Sequence, residues 1–99
     1  MKLKNKTRLL HELAKEASNP KDFIYYVMAL QQQTAESLLK DIEMSAAHFY
    51  VLMGTLSKGA GISPKLCNMI AKGLDIDPLL LYRVISDHTM NTYMEQNKS

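Results

Sequence analysis

Ninety-nine residues, 46% of them hydrophobic and 22% charged, allow one domain with one modest core. A chain of this size buries about 65% of its unfolded surface, which excludes the two-lobed cleft that multistep enzymes use. The net charge of +2 is too small to diagnose a partner, and the single cysteine, Cys67, excludes an internal disulfide and fits a reducing compartment.

The first predicted helix runs from about Lys4 to Ala17, with Leu3, Leu10, Leu13, Ala14 and Ala17 at helical spacing. Charge gathers here. Residues 1–21 carry six basic side chains, among them Lys2, Lys4, Lys6 and Arg8, against Glu12 and Glu16, a net of +4, while the remainder is at −2. Such a segment is a solubilising tail or, on a fold built for nucleic acid, an arm that neutralises phosphates. It lacks the apolar run of a secretory signal. Residues 1–19 therefore read as a basic helix or arm.

Asn19 suits an N-cap, Pro20 the first helical position, and Asp22 the positive helix end. The second helix then continues to about Gln32, with Phe23, Tyr26, Val27 and Leu30 on one face. A third starts behind the cap Thr34 and carries Leu38, Leu39 and Ile42; a fourth starts behind Ser45 and carries Phe49, Leu52, Met53 and Leu56. Ser57-Lys58-Gly59-Ala60-Gly61 is the clearest loop. Ser63-Pro64 opens a fifth helix with Leu66, Met69, Ile70 and Leu74 inward, its last turn weakened by Gly73. Asp77-Pro78 opens a sixth with Leu81, Val84, Ile85 and His88 at helical spacing, and residues 89–99 read as a polar, fraying tail. The apolar windows, Phe23–Leu30 and Leu79–Ile85, are well short of the roughly 20 residues of a membrane span. The expectation is a soluble, cytoplasmic, all-α single domain of about six short helices, with no membrane partner.

Two capped helices joined by a few residues, as between Thr34 and Leu56, must cross steeply and bring Leu38, Ile42, Phe49 and Leu52 together. This is helix-turn-helix geometry, which can present its second helix to a major groove. The segments TAESLLKDIEMS, SAAHFYVLMGTLSKG and ISPKLCNMIAKGLDIDPLLLY also resemble the Xre family, the Cro/C1-type λ-repressor-like regulators. Ile70-Ala71-Lys72-Gly73-Leu74-Asp75-Ile76-Asp77-Pro78 is the most family-like phrase. The resemblance implies a λ-repressor-like core over residues 20–88 that acts on double-stranded DNA as a homodimeric, sequence-specific transcriptional regulator. Three departures stand out: Glu43 occupies the turn, where a small residue is usual. Ala35 stands where a glutamine often follows the cap, and the recognition helix opens with Ala46 and Ala47.

The recognition-helix candidates are Ser45, Ala46, Ala47, His48 and Tyr50, and the alanines can offer only methyl contact with thymine. Phosphate candidates are Thr34, Lys58, Ser63 and Lys65, with Lys2, Lys4, Lys6 and Arg8 from the arm. A second reading stands beside this one: Ala46, Ala47, Tyr50, Val51 and Gly54 form an apolar face that meets another regulatory protein, as in an anti-activator or corepressor. One helix-turn-helix unit touches few base pairs, so two-fold pairing is expected. The sixth helix supplies the dimer candidates Leu81, Tyr82, Val84 and Ile85, with the first helix as rival. No enzyme, metal or cofactor is read. His11, His48 and His88 lie on separate helices without ligand spacing. Cys67 has no CxxC partner, and Gly59-Ala60-Gly61 lacks the ending of a phosphate loop.

Overall fold

The computed structural model describes residues 6–97. It contains six helices: α1 (Lys6–Glu16), α2 (Pro20–Leu30), α3 (Ala35–Ile42), α4 (Ala46–Ser57), α5 (Pro64–Leu74) and α6 (Pro78–Gln96), with no strand among the described residues. The expected start of the first helix at Lys4 lies outside them, as do Lys2 and Leu3.

Local chemistry explains where the helices begin. Asn19, Thr34, Ser45, Ser63 and Asp77 are extended, and each accepts a hydrogen bond from a backbone N–H of the first turn it caps, at 3.0–3.2 Å. Pro20, Pro64 and Pro78 sit at or next to the first helical position, where a missing N–H costs no hydrogen bond. α3 and α5 end on Glu43 and Asp75 in the left-handed conformation, at φ 53° and 56°, without the glycine such ends usually carry.

α2 is the centre of the domain and packs against α1, α4, α5 and α6. Its buried arc is Phe23, Ile24, Val27 and Met28; Tyr26, expected inside, is 45% exposed. Phe49, Met53 and Leu56 of α4, Cys67, Ile70 and Leu74 of α5, and Leu81 and Ile85 of α6 close the core around it. Burial raises the Cys67 thiol above its ordinary pKa, as fits a small core residue.

Gly73 does more than weaken a turn. A Cβ at this position would collide with Ile42 and with Leu38 Cδ1 at 2.9 Å, so its absence lets α5 lie close against α3. Overpacking costs about 1–3 kcal/mol, against the ~1 kcal/mol that alanine returns in helix propensity. Gly73→Ala is therefore expected to melt several degrees below the wild type despite its better propensity. An increased Tm in thermal denaturation would mean that Ile42 and Leu38 give way freely. The same end of α5 is held by two long-range bonds, from Gln31 Nε2 to the Leu74 carbonyl (2.6 Å) and from Gln33 Nε2 to the Gly73 carbonyl (2.9 Å).

The expected fraying after Thr89 is corrected: α6 runs on to Gln96. Its polar residues face the end of α4 and the loop that follows. His88 Nε2 donates to the Ser57 carbonyl (3.0 Å), Thr89 Oγ1 donates to the Ile85 carbonyl of its own helix (2.9 Å) and lies 3.3 Å from the Ala60 carbonyl, and Thr92 lies against Gly59, whose φ of 101° only glycine adopts readily. No helix among the described residues is long and apolar enough to cross a membrane.

Candidate nucleic-acid interface

α3 and α4 pack against each other across a short turn. The Met44 N–H donates to the Leu39 carbonyl (3.2 Å), closing the end of α3, and Ser45 caps α4 directly afterwards. The phase of α4 is set by its apolar anchors. With Phe49, Met53 and Leu56 buried, Ala47, His48 and Tyr50 turn away from the core, while Ser45 and Ala46 are exposed at the open end of the helix.

One aromatic contact joins this half to α2, and a second lies within α4. Phe49 meets Tyr25 edge-on at 6.5 Å and Tyr50 edge-on at 5.6 Å, which orients the Tyr50 ring beside the core. Partial burial, and secondarily the neighbouring Tyr50, raise the Tyr25 hydroxyl pKa above its ordinary value. Beyond Tyr50 the exposed face turns apolar: Val51 is 65% exposed, and at Gly54 a Cβ would meet nothing.

The first turn of α5 stands next to the first turn of α4. Glu43, Met44, Ser45, His48, Ser63, Lys65, Leu66 and Met69 line a cleft of about 360 Å³ between them. Four of the predicted site residues thus share this cleft at the N-termini of two helices: Ser45 and His48 on α4's side, and Ser63 and Lys65 on α5's. Helix N-termini carry partial positive charge and unpaired N–H groups, so they suit phosphate oxygens. Lys58 is exposed at the far end of α4, and Thr34 is exposed as the cap of α3. The surrounding charge is mixed, with exposed Lys40, Lys58 and Lys65 alongside Glu36, Asp41 and Glu43.

The arm is placed differently. Lys6 donates from Nζ to the Asp75 carbonyl (2.6 Å) and pairs with its carboxylate at 3.1 Å, tying α1 to the α5–α6 turn. Asp75 lies at the opposite end of α5 from Ser63, about 16 Å away along an 11-residue helix. Arg8 is exposed and pairs loosely with Glu12 at 3.6 Å. The structure thus places Lys6 on Asp75, away from the α4–α5 cleft, and Lys2 and Lys4 lie outside the described residues.

Two of the four dimer candidates are also corrected. Leu81 and Ile85 are buried in their own domain's core, while Val84 is half-buried and Tyr82 exposed. The residues on α6 that do face outward and that sequence reasoning missed are Met90, Tyr93 and Met94, in the segment taken for tail. Compared with protein-family models, with curated proteins and with solved structures, the chain matches none.

Proposed function

We propose that this protein is a sequence-specific DNA-binding transcriptional regulator with a λ-repressor-like helix-turn-helix core, acting as a homodimer. The observation that supports it most is the exposure of Ser45, Ala46, Ala47, His48 and Tyr50 in the first turns of α4, next to the capped N-terminus of α5. α4 enters the major groove with its first two turns. Ala46 and Ala47 meet thymine methyl groups, and His48 and Tyr50 supply the polar contacts to base edges. The α5 N-terminus and Lys65 hold phosphates on one side of the groove, and Lys58 holds them on the other.

Phosphate contacts carry a distinct signature. Each releases counterions, so log K falls with log salt at a slope of about 0.9 per contact. The double variant Lys58→Ala/Lys65→Ala is expected to bind every DNA sequence more weakly, with a slope about 1.8 units shallower. Filter binding or fluorescence anisotropy on a duplex pool at several salt concentrations reads both quantities. An unchanged slope would remove this docking.

A second reading is favoured by Val51 and Tyr50, which are 65% and 54% exposed. In that reading the same face of α4 binds another regulatory protein and no DNA.

A further inference from the structure

The exposed side of α6 is an unpartnered apolar stripe. Leu79, Tyr82, Met90 and Tyr93 are 41–74% exposed, and together with Ser86 they fall within about 80° of one another at 100° per residue. Their spacing is symmetric about Ser86: Tyr82 and Met90 stand four residues to either side, Leu79 and Tyr93 seven. A sequence that reads alike from both ends along a helix suits a partner lying antiparallel on it, because a two-fold axis requires residue i to meet j and j to meet i.

We infer that two copies of this chain pair through α6, antiparallel, with the two-fold axis at Ser86. Tyr82 of one copy lies beside Met90 of the other, and Leu79 beside Tyr93, at both ends of a contact about 21 Å long. Ser86, the smallest side chain of the stripe, meets itself at the centre and lets the helices approach closely.

Charge agrees with this register. Arg83 and Asp87 lie on the same flank of the stripe, and neither forms an ion pair within the chain among the described residues. In the antiparallel pair Arg83 stands opposite the second copy's Asp87, offset by about 3 Å along the axis, and the contact occurs twice. A parallel two-fold pair would put the two Arg83–Asp87 flanks on opposite faces of the contact and lose both ion pairs. With Met94, the stripe offers on the order of 600 Å² of mostly apolar surface per copy, so that the pair reaches the lower end of the roughly 1,200–2,000 Å² that stable interfaces bury in total.

The inference deepens the dimeric part of the proposed function and does not rest on DNA contact. Sedimentation velocity without DNA, from low to high micromolar protein, is expected to show a monomer–dimer equilibrium. Ser86→Glu, which sets two carboxylates against each other on the axis, should weaken pairing roughly tenfold or more with an unchanged circular dichroism spectrum. Cysteine cross-linking reads the register. Ser86→Cys should form a covalent dimer on mild oxidation. Tyr82→Cys should not, because its symmetry mate lies about 12 Å away along the axis, beyond the ~7 Å reach of a disulfide. Wild type, whose single cysteine is buried, is the control. A monomer at every concentration, pairing indifferent to Ser86→Glu, or cross-linking through Tyr82→Cys in preference to Ser86→Cys would each overturn the proposal. None of these outcomes bears on whether the monomer's α4 binds DNA, which gel shift decides separately.

Discussion

Phe49→Ala is expected to leave the domain close to unfolded. The ring is fully buried between α2 and α4 and stands edge-on to both Tyr25 and Tyr50. Deleting a buried Phe side chain costs about 3–5 kcal/mol, and a domain of this size holds only about 5–15 kcal/mol in all. The loss also releases the aromatic neighbour that orients Tyr50, so α4 loses its phase as well as its anchor. Urea denaturation followed by circular dichroism measures the change, with Phe49→Leu as a milder companion that keeps most of the volume. A loss under about 1 kcal/mol for the alanine variant would mean that α4 does not dock through this side. The exposed set from Ser45 to Tyr50 would then have to be drawn again.

Ala47→Glu is expected to abolish DNA binding while leaving the fold intact. Ala47 is exposed in the first turn of α4, away from Phe49 and Met53, so a longer side chain displaces nothing in the core. A carboxylate there also lies at the positive end of the helix, where it is tolerated or mildly stabilising. In a major groove it faces phosphates and unpaired base edges in a confined space. The cost is about 3 kcal/mol or more, a hundredfold loss of affinity or greater. Gel shift on a duplex pool, paired with the circular dichroism spectrum, gives the answer. Wild type that binds no DNA but carries a protein lost from the Ala47→Glu variant would replace the regulator with the interaction module. Equal DNA binding by both would show that α4 does not face the groove.

Helix starts were legible because they are local: a capping side chain needs only the N–H three residues on, and Asn19, Thr34, Ser45 and Ser63 each find it. The outward set on α4 was legible for a related reason, since Phe49, Met53 and Leu56 fix which side turns in. What escaped depends on distant partners. Gln31 and Gln33 bond to carbonyls 43 and 40 residues away, and nothing in their neighbourhood announces it. Gly73 reads as a defect in α5 until Ile42 and Leu38 of α3 are seen against it. The last turns of α6 looked like tail because the residues from Thr89 onward are mostly polar, yet Thr89 and Thr92 stand against the α4–α5 loop. The dimer candidates were chosen for apolarity without regard to phase. Leu81 and Ile85 point inward, and the outward stripe at Leu79, Tyr82, Met90 and Tyr93 alternates with them along the same helix.

The bond from His88 to the Ser57 carbonyl joins the middle of α6 to the last turn of α4, 31 residues earlier in the chain. α6 is 19 residues long, close to 29 Å of rod, and this bond lies near its midpoint. A displacement of α6 that keeps the bond carries Ser57, the last residue of α4, with it. In the pairing proposed through α6, the bond would tie the shared surface to the C-terminal end of α4 in each copy.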